Sequence, residues 1–173
     1  MNLSDEHLHR FSTVLVEHGV DKAFGITGSG LSLRLICALR EKGVDYHCVG
    51  HEAAAALMAG GALKRDGIGA VSISIKGPGF VNLVPGLLSN FYEGRPMASV
   101  SEAYNGDAPC HMAHKRLDHK SLCSNVAKGY GKVSTRGEDI SRLLALAGSE
   151  YPGPVHVDLC KQAENSLSVF SRE

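Results

Sequence analysis

The feature that most restricts this chain is an alternation. Short runs rich in β-branched residues recur along it, and most are followed by a stretch whose apolar residues fall at helical spacing. "KAFGI", "VDYHCVG", "GAVSISI", "RPMASVS", "VAKGYGKVS" and "GPVHVDL" read as strands, while "LSLRLICALREKG", "EAAAALMAGGAL", "FVNLVPGLLSNFYEG" and "SRLLALAGSE" read as helices. Ser4, Asp5 and Glu6 start a further helix ahead of the first strand, and Gly19 ends it. Pro85 and Gly86 predict a kink or a break in the helix that contains them. A βαβα order with about six strands implies an α/β fold, a mainly parallel sheet with helices on both faces and right-handed crossovers. In such sheets ligands bind beyond the carboxyl ends of the strands. "TGSG", "GHE" and "KGPGFVN" are expected there. No repeat, low-complexity tract or linker divides the chain, so residues 1–173 are read as one domain.

Composition narrows the function classes. Lys plus Arg and Asp plus Glu number 18 each, so no basic surplus points to nucleic acid and no acidic tail to a charged partner. No apolar run reaches membrane-spanning length and "MNLSDEHLHR" has no apolar signal region, which makes the cytoplasm the expected address. Cysteines 37, 48, 110, 123 and 160 are odd in number and never spaced CxxC, against a disulfide framework.

Several motifs can be set aside. "TGSGLSL" has glycines at 28 and 30 after a strand, but Leu33 stands where a dinucleotide fingerprint needs Gly or Ala. "KGPGFVN" lacks the GK[ST] ending of a phosphate-binding loop. His111, His114 and His119, with Cys110, Asp118 and Cys123, match neither HExxH nor a paired-cysteine zinc site and read as a solvated polar loop; no metal ligands are assigned. Glu52 is harder to dismiss. It opens "EAAAALMAGGAL", a stretch apolar almost all round, as in a helix buried on several sides. An acid at a helix start is often only a favourable dipole partner. Buried, a carboxyl favours its neutral, proton-donating form. The residues alone leave both readings open.

The order of five blocks carries a resemblance. "AFGITGSG", "GHEAAAALMAGGALKRDG", "GPGFVNLVPGLLSNFYEGRPMASVS", "KRLDHKSLCSNVAKGYGKV" and "PGPVHVDL" follow one another over residues 8 to 160. Together they resemble the pyrimidine-binding (PYR) domain of thiamine diphosphate enzymes, especially the acetolactate synthase and 2-oxo acid decarboxylase group. The resemblance implies that Glu52 activates the cofactor by hydrogen-bonding N1′ of the aminopyrimidine, so that the 4′-imino group can remove the thiazolium C2 proton before attack on a 2-oxo acid. It also implies that Gly28, Gly77, Pro78, Gly79 and Asn82 lie against the cofactor. Asp118 matches a loop near the site entrance and receives no chemical role.

Departures from the family pattern matter too. Thr27 replaces the usual proline of the first loop, and Lys76 the small hydroxyl residue before Gly-Pro-Gly. Lys76, and more weakly His51, are candidate substrate-side residues, Lys76 toward an anionic tail. Members also need a second domain with Gly-Asp-Gly and a downstream Asn to hold Mg²⁺ and diphosphate, and "RDG" and "NGD" are its nearest fragments here. The resemblance therefore implies a stand-alone PYR subunit of a split enzyme, like the alpha subunit of sulfopyruvate or phosphonopyruvate decarboxylases. A beta subunit would supply the diphosphate domain, self-association would give an α2β2 assembly, and a small 2-oxo acid would be the substrate. Met1 and the polar tail "KQAENSLSVFSRE" favour a natural small subunit. The rival readings are a non-catalytic interaction module and an excised domain of a longer acetolactate synthase-like enzyme.

Overall fold

The structure is a computed structural model and describes residues 5–65, 67–104, 109, 113–133, 137–160 and 167–170. Elements run α1 (Asp5–Glu17), β1 (Lys22–Gly25), α2 (Leu31–Glu41), β2 (Asp45–Cys48), α3 (Glu52–Gly61), β3 (Ala70–Ser74), α4 (Pro78–Tyr92), β4 (Met97–Ala103), α5 (His119–Val126), β5 (Gly129–Lys132), α6 (Gly137–Ala147), β6 (Pro154–Cys160) and β7 (Leu167–Val169). The sheet order is β2-β1-β3-β4-β6-β5-β7, parallel except where β7 pairs antiparallel with β5. The expected α/β fold with a mainly parallel sheet is observed, with one strand more than the sequence indicated.

The connections explain where a site can form. From β1 the chain leaves outward to β2, while from β3 it leaves the other way to β4. The crevice between β1 and β3 is thus the topological switch point, where ligands of open α/β sheets collect. Helix packing groups α1, α2 and α6 on one face and α3, α4 and α5 on the other, the division that crossovers of a single hand require for this strand order. Leu8, Leu15, Leu35, Leu39, Leu143 and Leu144 fill the first layer, and Phe80, Leu83 and Leu87 the second.

Local chemistry sets the element ends. Gly19, at φ 94°, closes α1, with Val20 N–H returning to Leu15 O. Pro78 suits the first turn of α4, where its missing N–H costs nothing. Of the kink or break expected at Pro85 the break does not occur, since helix α4 runs unbroken through that residue. Its stability comes from packing: at Gly86 an added Cβ would meet Ala53 O and Ala56 Cβ, both at 2.6 Å, so α3 and α4 lie in close contact. The structure also adds α5 and β7, which periodicity did not indicate.

Candidate functional site

Glu52 is the first residue of α3. The extended His51 before it caps the helix, its Nδ1 accepting from the Ala53 N–H at 3.1 Å. This spends one edge of an exposed His51 ring on local structure. Glu52 itself is only 7% exposed. Its Oε2 accepts from Asn82 Nδ2 at 3.1 Å, and among the described residues no group donates to Oε1. Asn82 reaches it from the second turn of α4, so helix packing sets the carboxylate's orientation.

The Gly-Pro-Gly turn works at the same junction. A Cβ on Gly79 would stand 2.7 Å from Ile75 Cγ1 and 3.4 Å from Glu52 Oε1, so only glycine lets the first turn of α4 come this near the carboxylate. Gly77, at φ 63°, occupies the left-handed region, and a Cβ there would strike Lys115 O at 2.5 Å. On the far side of Ile75 lies Gly28, where a Cβ would meet Ile75 Cγ2 at 2.5 Å. The structure therefore brings Glu52, Gly77, Pro78, Gly79 and Asn82 to one place, with Gly28 behind the Ile75 side chain.

Lys76 turns toward the first helix layer. Its ammonium pairs with Glu102 Oε2 at 3.1 Å and lies 5.3 Å from the Tyr104 ring centroid. Glu102 Oε1 accepts from the Ser32 N–H at 2.9 Å and from Ser32 Oγ at 2.7 Å. Burial alone would raise the Glu102 pKa, but the two Ser32 bonds and the Lys76 charge outweigh it and hold it below the usual value. Lys76, Glu102, Ser29, Arg34 and Tyr104 line a cavity of about 580 Å³ beyond the carboxyl ends of β1, β3 and β4. Nothing local in the sequence marked Glu102, because its partner Ser32 lies 70 residues earlier.

The histidine cluster divides. His114 and Asp118 are exposed, and Asp118 caps α5 by accepting from the Ser121 N–H at 3.2 Å. Cys110 and His111 lie outside the described residues. His119 and Cys123 are 2% and 0% exposed, which corrects the reading of a solvated loop. The reason is Asp158 on β6, whose Oδ1 lies 2.7 Å from His119 Nδ1 and 3.1 Å from His156 Nε2, while Oδ2 accepts from Tyr130 OH at 2.5 Å. Burial would raise the Asp158 pKa, yet the two histidines more than offset it and hold the group as a carboxylate well below the usual range. Burial and then the Asp158 charge push the Tyr130 hydroxyl and the Cys123 thiol upward, so both stay protonated. His119, His156 and Asp158 each place one ligand-type atom within 4.8 Å of the others, and their 2.7 and 3.1 Å contacts are those of hydrogen bonds.

With this geometry in place, residues 8–122 match the family model described as thiamine pyrophosphate enzyme, N-terminal TPP binding domain. The chain belongs to that family. Its cofactor is thiamine diphosphate. The chain is 31% identical over 156 residues to the acetolactate synthase isozyme 3 large subunit of Escherichia coli (strain K12), an overlap of 87% of this chain and 27% of that protein. It is 32% identical over 157 residues to the acetolactate synthase of Bacillus subtilis (strain 168), covering 89% of this chain and 27% of the relative. A probable acetolactate synthase large subunit of Methanocaldococcus jannaschii is 28% identical over 158 residues, with 87% and 26% covered. The chain thus spans about a quarter of the length of the curated relatives it matches. No described helix is long and apolar enough to cross a membrane.

Proposed function

We propose that this chain is the pyrimidine-binding subunit of a split thiamine diphosphate enzyme that decarboxylates a 2-oxo acid. Likeness to acetolactate synthases supports ligation of the product to an acceptor as the continuation. The observation that carries the proposal is Glu52, a buried carboxylate with Oε2 fixed by Asn82 and, among the described residues, no donor to Oε1 beside Gly79. That donor set fits an aminopyrimidine, whose ring nitrogen can share a proton with an acid oxygen and whose flat face can lie against a glycine. When bound, the cofactor supplies the carbanion chemistry that removes CO₂ from a 2-oxo acid. Glu52 holds or shares the proton at the ring nitrogen, Asn82 keeps the carboxylate in one orientation, and Gly77, Pro78 and Gly79 shape the contact surface.

Lys76 stands on the substrate side in this proposal, lining the cavity with Ser29 and Tyr104. Its charge is already matched by Glu102, so an anionic tail must compete with that carboxylate and gains only a small increment from the lysine. His51, with one nitrogen committed to the cap, contributes its other edge at most.

A partner chain carries the diphosphate and Mg²⁺ in this reading, and residues 1–173 form a single PYR domain. An apolar outer surface on the two helices of the site supports it. Leu57 and Met58 of α3 and Val81, Leu88 and Tyr92 of α4 are 36 to 79% exposed. Self-association of two such pairs gives the proposed α2β2 form. To test this, the tagged chain is drawn from its native extract and its stoichiometric companion sequenced. A companion with Gly-Asp-Gly and a downstream Asn, giving Mg²⁺-dependent thiamine diphosphate binding only when mixed, is the expected result. No cofactor binding in any mixture would leave an interaction module instead. The match to an N-terminal domain also favours a second reading, a segment of one longer polypeptide. An antibody against this chain that detects only a product several times its mass would establish that one.

A further inference from the structure

His119 sits where a buried network meets the Gly-Pro-Gly turn. Its Nε2 faces the Gly77 N–H at 3.4 Å, and its Nδ1 faces Asp158 Oδ1 at 2.7 Å. Its ring stacks on Phe80 with centroids 4.2 Å apart and planes 25° from parallel. An amide N–H can only donate, so Nε2 must be the bare nitrogen of the ring and Nδ1 must carry the hydrogen. The carboxylate at Nδ1 enforces the same tautomer, because it can only accept. The 3.4 Å contact is long, but the other tautomer would set a donor against a donor at Gly77 and an acceptor against an acceptor at Asp158. His156 takes the complementary form. Its Nε2–H donates to Asp158 at 3.1 Å, leaving Nδ1 to accept from Ser99 Oγ at 2.7 Å.

We infer that His119 is a positioning residue, which in its Nδ1–H tautomer ties the start of α4 to β6 and so sets the place of Gly79 and Asn82 against Glu52. His119 meets the start of α4 at two points, the Gly77 amide just before the helix and the Phe80 ring in its first turn. Two residues beyond Phe80, Asn82 is the donor that fixes Glu52. Gly77 needs an external tie because its own conformation is unusual. It is left-handed, and it packs on Lys115, a non-glycine residue that is itself left-handed at φ 66°. A glycine there can swing at little cost unless its N–H is held. The link from Asp158 to Glu52 therefore runs through His119, Gly77 and Asn82. The tautomer and the tie to Gly77 stand on geometry alone; their catalytic consequence rests on the cofactor reading above.

The test is direct in the full-length chain. Long-range proton–nitrogen NMR of the imidazole rings is expected to show His119 with the proton on Nδ1 and His156 with it on Nε2; the reverse at His119 overturns the inference. Two variants separate the ring's contacts. In His119→Asn an amide NH₂ near the Nδ1 position keeps the donor to Asp158 but loses the acceptor for Gly77. In His119→Gln a carbonyl near the Nε2 position keeps the acceptor and loses the Asp158 bond. Amide exchange at Gly77, measured against the core amides of β3, should rise roughly tenfold in the Asn variant and by a smaller factor in the Gln variant, which keeps the acceptor but loses its anchor on Asp158. Equal acceleration in both would reduce His119 to packing. If neither variant folds, the wild-type tautomer still decides. In the assembled complex, thiamine diphosphate should bind roughly tenfold more weakly to the Asn variant and lose less affinity in the Gln variant. Absence of binding by wild type would count against the cofactor reading and leave the tautomer result untouched.

Discussion

Glu52 and Asp158 are both buried acids, 7% and 2% exposed, and both sit near the carboxyl end of the sheet. Asp158 receives two imidazoles and a phenol. Among the described residues, Glu52 receives one side-chain amide, on one oxygen. A carboxylate can accept several hydrogen bonds, and burying one without them is costly. Asp158 has that requirement met from within the chain, so it serves architecture. Glu52 has it half met, and the remaining oxygen is chemically available to a ligand. Saturation by donors, rather than depth of burial, distinguishes the structural acid from the one proposed to meet the cofactor.

Removing the open acid gives the largest effect. Glu52→Gln keeps the Asn82 contact and should lower turnover of the reconstituted enzyme by about two to four orders of magnitude. Its unfolding free energy should change by less than about 1 kcal/mol in urea. Normal turnover in that variant would end the contrast on the functional side. Asp158→Ala should show the opposite pattern, a loss of about 3–5 kcal/mol in denaturant because His119, His156 and Tyr130 lose their common acceptor. A loss below about 1 kcal/mol would mean the network is not a structural anchor.

Acid should sharpen the same contrast. The folded Asp158 pKa lies below its unfolded value, so its stabilisation is complete above about pH 4 and is lost as pH falls through the folded pKa. Wild type should therefore destabilise more steeply below pH 4 than Asp158→Asn; parallel curves would contradict the assignment. A smaller change is expected from Asn82→Ala, which frees Glu52 to reorient. Turnover should fall roughly tenfold, the scale of one hydrogen bond to a charged group. Smallest is a null effect: iodoacetamide on the native chain should label exposed Cys37 and Cys48 and spare buried Cys123, read by peptide mass.

Legibility in the sequence followed range. Six strands and five helices, the Glu52 helix among them, were readable because period and end signals are local. Helix α5 escaped because "HKSLCSNV" carries few apolar residues and is capped by a lone Asp118. β7 escaped because three residues paired antiparallel at an edge have no period to show. The break expected at Pro85 did not occur because α3 packs closely along that part of α4, a tertiary contact that overrides propensity. His119 looked solvated because the acid that buries it lies 39 residues on. Glu52 could be suspected from the apolar company of its own helix, but Asn82, which aims it, is 30 residues away.

The rims of the sheet have a consequence for how the molecule behaves at high concentration. One rim is β2, four residues reading Asp-Tyr-His-Cys and mostly exposed; the other is β7, only three residues long. Rims so short, and on one side so polar, offer poor templates for strands from another molecule. Open-ended stacking into fibres is thereby discouraged, and encounters between molecules are steered to the apolar helical surface of α3 and α4.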